Sequence, residues 1–176
     1  MKLNKIVLGV SLAIGVVSFV QAATTDPGHG TVTFTGSIID SPCSIDSESI
    51  DQTVDLGQVS NVALSNKGTS TPKNFSIKLE KCNIGDKGKS VTAKFTGAQG
   101  STAGMLGITG SAKGASIAVT DGNNKLITLG TATDTQILQD GNNTLLFSAY
   151  LQGDGASGSV VPGDFESVAN FTLDYQ

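Results

Sequence analysis

The chain has 176 residues, with 15 acidic residues against 11 lysines, no arginine and a formal net charge of −4 at pH 7. Nucleic-acid binding needs clustered positive charge, and adhesion to anionic lipid needs basic segments. The composition therefore disfavours both kinds of partner, and the length is that of about one domain.

The first 22 residues have the pattern of a secretory signal peptide. Lys2 and Lys5 precede an apolar run over 6–20, and Val20-Gln21-Ala22 fits a cleavage site. An uncleaved anchor is the weaker alternative, because the run is shorter than the roughly 20 residues that a membrane-spanning helix needs. Cleavage would leave residues 23–176, with nine lysines against 15 acidic residues and a net charge of −6.

Residues 30–38 alternate between apolar and polar positions, which predicts a strand with one apolar face. The apolar or small positions are Gly30, Val32, Phe34, Gly36 and Ile38. The only histidine, His29, lies just before them between glycines. A catalytic or zinc-binding imidazole needs partners that hold it rigidly, so this position favours a linker residue.

Two cysteines, Cys43 and Cys82, are present. An even number of cysteines in an exported protein predicts one disulfide. It would close a loop of about 40 residues, which the chain-entropy description values at roughly 4 kcal/mol. Redox catalysis is a weaker interpretation, since the spacing is not C-x-x-C.

The rest of the chain predicts an all-β fold. Strands are expected at 54–59, 75–82, 91–95, 117–119, 126–129 and 145–151. Residues 97–115 and 153–159 predict loops, the first with one short turn of helix. Several short strands separated by such loops fit a β-sandwich.

The tetrad Asp-Gly-Asn-Asn occurs at 121–124 and again at 140–143. Both copies predict turns, because Gly and Asn tolerate positive φ. A calcium loop is the weaker interpretation, because the alternating acids and the distal Glu are missing. No catalytic triad, phosphate-binding glycine motif or paired carboxylates can be recognised, so we predict no enzyme activity, no metal and no cofactor.

Residues 163–176 predict a terminal strand in which every second residue faces one buried side. These residues are Gly163, Phe165, Ala169, Phe171, Leu173 and Tyr175, interrupted by Ser167. Because chain ends fray unless they are tied down, a strongly amphipathic strand ending at Gln176 indicates a binding surface. If the domain lacks its completing strand, residues 30–38 could enter a neighbour's groove; alternatively they are an ordinary first strand.

The sequence resembles the chaperone–usher pilins, specifically the type 1/P-like fimbrial major pilin subunits. Residues 28–38 and the following Asp40-x-Pro42-Cys43-Ser44-Ile45 resemble the N-terminal extension and first cysteine motif of that family. Residues 140–145, 149–151 and 162–165 resemble its later part. Gly163, fourteenth from the end, and the penultimate Tyr175 match its terminal signature.

This resemblance implies an incomplete immunoglobulin-like β-sandwich that lacks its last strand and is completed by donor-strand exchange. The expected domains are a signal peptide at 1–22, a donor-strand extension at 23–39 and a pilin domain at 40–176. A periplasmic chaperone would contact the C-terminal strand and anchor the Gln176 carboxylate. At the outer-membrane usher, the extension of the next subunit would replace it on the way to the cell-surface fimbrium.

Within the donor segment, Val32, Phe34 and Ile38 would be the main inserted side chains, with Gly30 and Gly36 at crowded points. The single-domain length disfavours a tip adhesin, and the donor segment disfavours a terminating subunit. The expectation is a major rod subunit, with a minor adaptor pilin as the alternative. A secreted carbohydrate-binding module would need exposed aromatics, but residues 23–176 contain only six Phe, two Tyr and no Trp.

Overall fold

The computed structural model describes residues 28–85, 90–155 and 160–176. An N-terminal unit ends at Ile38, and the second unit is Ile39–Gln176. The predicted signal peptide and residues 156–159 of the second predicted loop lie outside the described residues. No helix within the described ranges is long and apolar enough to cross a membrane.

The second unit is built almost entirely from antiparallel strands. In chain order its elements are β1 Ser44–Ile45, α1 Ser47–Ile50, a 3-10 turn Ser65–Lys67, β2 Lys73–Cys82, β3 Ser90–Gly97, β4 Leu106–Gly107, β5 Thr109–Gly110, β6 Ala115–Asp121, β7 Leu126–Ile127, β8 Gln136–Ile137, β9 Gly141–Gly153, β10 Phe165–Glu166 and β11 Ala169–Tyr175. The all-β prediction is confirmed.

The strands form two larger sheets and one small one. The first sheet has the order β1-β2-β9-β6-β4, with β7 paired to β6. The second has the order β11-β3-β8, and β10 pairs separately with β5. The first and second sheets share one hydrophobic core, so the unit is a sandwich.

A cluster of four phenylalanines joins the two sheets. Phe75 and Phe147 are register partners in the first sheet, with stacked rings 5.5 Å apart. Phe95 and Phe171 are register partners in the second. The rings of Phe95 and Phe147 meet edge to face across the core at 5.1 Å, a geometry that aromatic pairs favour.

The strands predicted at 75–82, 91–95, 117–119 and 145–151 are confirmed, the one predicted at 126–129 is reduced to Leu126–Ile127, and two predictions, at 54–59 and 97–115, are wrong. The strand predicted at 54–59 is absent because Gly57 adopts a φ of 72° and donates its N–H to the Asp55 carboxylate at 2.8 Å, which makes a side-chain turn there. The loop predicted at 97–115 contains the short strands β4 and β5 and no helical turn. These strands form because β6 and β10 offer them partners.

The two Asp-Gly-Asn-Asn tetrads have different roles. The first is the predicted hairpin turn between β6 and β7, with the positive φ at Asn124 and two backbone N–H groups bonded to the Asp121 carboxylate. The turn predicted at the second is wrong, because Gly141–Asn143 are the first residues of β9 and pair with the end of β2. Residues 138–140 connect β8 to β9, which belong to different sheets, and Asn143 is hydrogen-bonded to the backbone of Gln139.

Candidate functional site

The candidate site is the open edge of β11. Among the described residues, β11 is an edge strand of the second sheet, with β3 on its other side. Gln176 and Ser90 exchange two backbone hydrogen bonds, of 3.0 and 3.1 Å. In an antiparallel ladder, hydrogen-bonded pairs alternate with pairs whose N–H and C=O groups point away. The register therefore directs the backbone groups of four residues to the open edge: Ala169, Phe171, Leu173 and Tyr175.

The pairing of β3 supports this assignment of the two edges. Phe95 and Ala93 lie opposite Phe171 and Leu173, and their own carbonyls point away from β11. They accept from the N–H groups of Gly130 and Thr133, both at 2.8 Å. The alternation is thus observed directly on β3, which lies next to β11.

The side chains that accompany the open backbone groups are apolar and half-buried. Phe171, Leu173 and Tyr175 pack against the core, while the intervening Thr172 and Asp174 are exposed. Phe171, Leu173 and Tyr175 therefore point to the inner side, as predicted. They are only partly covered, and Ala169 is exposed. An edge that combines unpaired backbone groups with half-covered apolar side chains can bind another strand.

On the first sheet, the outer edge of β2 is closed by the segment around α1. The Lys78 N–H donates to the buried Ser49 hydroxyl at 3.0 Å, and its carbonyl accepts from the Asp46 N–H at 3.0 Å. The Gln52 amide donates to the Ser76 carbonyl at 3.2 Å. The Ser49 and Gln52 side chains and the Asp46 backbone that make these contacts give no periodic signal, so the sequence did not indicate them.

The C-terminal end of β11, at Tyr175, lies near the disulfide. Cys43 and Cys82 are bonded, with their Cα atoms 4.1 Å apart, so the predicted disulfide is confirmed. The Ser41 hydroxyl donates to the Cys43 carbonyl at 2.8 Å. Burial raises the pKa of Tyr175, and the neighbouring Ser41 hydroxyl opposes part of that rise.

At the N-terminal end of β11, the chain does not continue as one strand, so the prediction of a continuous strand over 163–176 is wrong. The chain forms β10 and β11 with a break at Ser167 and Val168, because β10 pairs with β5 whereas β11 pairs with β3. Gly163, which is exposed, precedes β10 where the backbone of another segment approaches closely. A Cβ there would lie 2.7 Å from the Ala112 nitrogen and 2.8 Å from the Ser111 carbonyl carbon.

Residues 28–40 have no regular secondary structure, so the strand predicted at 30–38 is not formed in the single chain. A lone strand is not stable without a hydrogen-bonded neighbour. The three large side chains that we expect to be inserted into a neighbour are exposed in this chain: Val32 is 75%, Phe34 90% and Ile38 104% exposed. Gly30, Gly36 and His29 are also exposed.

The comparisons with known proteins agree with this geometry. A sequence profile of the family described as "Fimbrial protein" matches residues 32–176. The chain is 61% identical to the "Fimbria A protein" of Serratia marcescens and 49% identical to the "Major MR/P fimbria protein" of Proteus mirabilis, with all of each chain covered. Its fold is similar to the P pilus rod subunit PapA (34% identity, TM-score 0.69, 77% of this chain and 100% of that one). It is also similar to a chain of a chaperone–usher pilus (36% identity, TM-score 0.76, 88% and 100%).

The chain therefore belongs to the fimbrial protein family. It is a structural pilin subunit and not an enzyme. Its fold is the expected immunoglobulin-like sandwich that lacks a strand. Among the described residues, no group of three or more His, Cys, Asp or Glu side chains could hold a metal ion.

Proposed function

We propose that this chain is a major, rod-forming pilin that polymerises by donor-strand exchange. The observation that carries the proposal is the open edge of β11, in a chain whose alternating residues 30–38 are exposed and have no regular secondary structure. In this proposal residues 28–39 of one copy add as a strand beside β11 of the next. Addition of an extended segment to a sheet edge is an established way for pilins to assemble.

The gain from such an insertion comes from two sources. Val32, Phe34 and Ile38 are exposed, and burying each of them contributes roughly 1.5 to 3 kcal/mol. The four residues with outward N–H and C=O groups would form a backbone ladder with the donor. Part of this gain is offset by the cost of ordering the segment, so both the apolar side chains and the ladder are needed.

Before a donor arrives, the open edge needs protection. An exposed strand edge with apolar side chains promotes aggregation. We infer that a periplasmic chaperone lends a strand to β11 after export through the signal peptide 1–22 and also holds the Gln176 carboxylate. The outer-membrane usher would then be the place where the donor of the next subunit replaces that strand and the fimbria reaches the cell surface.

The major-subunit assignment is supported by the relatives. One relative is named a major fimbria protein, and the similar solved structures include a rod subunit. Both a donor and an acceptor are needed at every position within a rod. A minor adaptor would need the same two features, so abundance in the fimbria separates the alternatives: quantitative mass spectrometry of purified fimbriae should find this chain as the predominant protein.

Deletion of residues 23–37 tests donor exchange. The chaperone should still capture the truncated subunit, because β11 and its open edge are unchanged, but the subunit should not be incorporated within a growing rod. Fibre assembly from purified chaperone–subunit complexes is the measurement, with circular dichroism as the control for folding. Fibres of normal length from the truncated subunit would contradict the proposal, and so would its unfolding within the chaperone complex.

A further inference from the structure

The outward-facing rows of the donor segment and of β11 are polar except at one end of each. The donor row ends in Ile39, which is 62% exposed, and the β11 row is preceded by Val168, which is 66% exposed. The polar members of the two rows are Thr31, Thr33, Thr35 and Ser37 in the donor and Asn170, Thr172 and Asp174 in the acceptor. A single exposed apolar residue is ordinary on a protein surface, so the positions of these two residues, rather than their exposure, carry the argument.

Val168 lies in the break before β11, but its backbone already follows the alternation of that strand. Its carbonyl oxygen is on the β3 side, 2.7 Å from the place that a Cβ on Gly97 would occupy. Ala169, the next residue, begins the series whose backbone groups face the open edge. Since successive side chains of a strand point to opposite faces, the Val168 side chain is on the outer face of the second sheet, at the start of the open edge.

The inward side chains define the register of an added strand. The edge of β11 has four inward positions, beginning with Ala169, and residues 32–38 of the donor also have four. In antiparallel addition, pairing Ile38 with Ala169 places all three large donor side chains along the edge. A shift by two residues in one direction leaves Ile38 beyond the edge. The opposite shift leaves Val32 out and turns the Asp40 carboxylate inward, where an unpaired charge is costly.

The direction of the added strand decides whether the two outward apolar residues meet. Every strand pair of the described residues is antiparallel. Side-chain size favours the same direction, because antiparallel addition in this register sets Gly36 opposite Phe171, whereas parallel addition sets Phe34 there. The C-terminal end of the donor then runs beside the N-terminal end of β11, and Ile39 lies directly opposite Val168.

We propose that Ile39 of one copy packs on Val168 of the next copy, as an apolar contact outside the groove. This inference rests on the proposed function above. Ile39 and Val168 form a pair without mutual hydrogen bonds, in which opposite side chains come closest. The contact lies at the junction of two successive domains, because Cys43, four residues beyond Ile39, is already held by the disulfide of the donor's own domain.

A double-mutant cycle measures this contact. The full-length subunit, with its disulfide formed, is complemented with a synthetic peptide of residues 28–42. Val168→Thr in the subunit should shorten the lifetime of the complex by about twofold to fivefold, the range for one cross-strand pair. Ile39→Thr in the peptide should have the same effect, and the two changes together should cost no more than either alone.

Val62→Thr is the matched control, since Val62 is another exposed valine, at 75%, in the segment before the 3-10 turn. It should leave the lifetime of the peptide complex unchanged. Urea unfolding without peptide should give the same stability for Val168→Thr as for the wild type, because the Val168 side chain is exposed in the lone subunit. An equal loss of stability with and without peptide would show a role within the subunit and would overturn the inference.

Disulfide trapping tests the geometry independently. Fibres assembled from chaperone–subunit complexes that carry both Ile39→Cys and Val168→Cys should give covalent multimers on denaturing gels without reductant. The Cα separation of such a pair, about 4.5 Å, allows a disulfide. Thr31→Cys combined with Val168→Cys represents parallel addition, and Ser37→Cys combined with Val168→Cys represents a register shifted by two.

The outcomes separate this inference from the proposed function. Multimers from the Thr31 or Ser37 combination in place of the Ile39 combination would overturn the inference alone. Unchanged lifetimes, or losses that simply add in the double-mutant cycle, would do the same. If the wild-type subunit neither binds the peptide nor assembles into fibres, the proposed function fails instead.

Discussion

Phe95 and Phe171 lie opposite each other in the β3–β11 ladder, with ring centroids 6.4 Å apart and planes tilted by 51°. Phe95 is buried within the aromatic cluster, whereas Phe171 is half-buried at the open edge. The pair thus marks the border between the finished core and the part of the core that an added strand would cover. Substitutions on the two sides of this border should have different consequences.

Phe171→Ala should weaken strand capture more than it weakens the lone subunit. The part of the ring that is already buried contributes to folding, and the exposed part becomes buried only when a strand is added; together they correspond to roughly 1.5 to 3 kcal/mol. Isothermal titration with a peptide of residues 28–39 and urea unfolding would measure the two effects. Thr172→Ala is the matched outward-facing control, and equal peptide affinity for both variants would be evidence against the open edge as the acceptor.

Phe34→Asp should prevent a subunit from acting as donor. A carboxylate without a partner is costly in an apolar groove, whereas the neighbouring polar position Thr35 is expected to face solvent. Thr35→Asp therefore provides a control with the same charge change, one residue away. Fibre assembly from chaperone–subunit complexes should be lost with Phe34→Asp and retained with Thr35→Asp; similar yields from the two would contradict the predicted inward parity.

Gly163→Ala should lower the free energy of unfolding by about 1 to 3 kcal/mol, the usual cost of overpacking. The added methyl group would press on the backbone at Ser111 and Ala112, next to the hydrogen bonds that their N–H groups donate to the Asp164 carbonyl at 3.0 and 3.1 Å. Gly122→Ala is the control, since its nearest contacts are at an ordinary 3.4 Å. Denaturant unfolding compares them, and equal stabilities would show that the close approach is not restrictive.

The stability of the subunit should fall at alkaline pH through Tyr175. Burial raises its pKa in the folded protein, so the neutral phenol is favoured there. This contribution is complete below the unfolded pKa of about 10 and is lost as the pH rises through the higher folded value. The wild type should therefore lose more stability above pH 10 than Tyr175→Phe does, as measured by urea unfolding from pH 7 upward. Parallel pH profiles would mean that this phenol makes no contribution.

Replacing both cysteines by serine should destabilise the subunit by roughly 4 kcal/mol, according to the chain-entropy description of the loop that the bond closes. The bond also stands beside Ser41, which contacts Tyr175 at the end of β11. Chaperone capture of the double-serine variant should consequently fall together with its stability. Alkylation and mass spectrometry of the exported wild type provide the check on the bond itself: free thiols would refute it.

The strands β2, β3, β6 and β9 and the inward side of β11 were predictable from the sequence. Alternation with a period of two is a local property that each strand carries whatever its neighbours are. The disulfide was predictable for a different reason, since two cysteines in an exported chain leave one pairing.

The tertiary structure alone decided where the C-terminal stretch breaks, which Asp-Gly-Asn-Asn tetrad closes a hairpin, and that Ser41 meets Tyr175. These features depend on the partner that each strand finds at a distant place in the chain. Residues 163–176 have one continuous alternation, yet β10 pairs with β5 and β11 with β3. The break at Ser167 and Val168 follows from that change of partner, because backbone pairing between distant segments leaves no periodic trace in the local sequence.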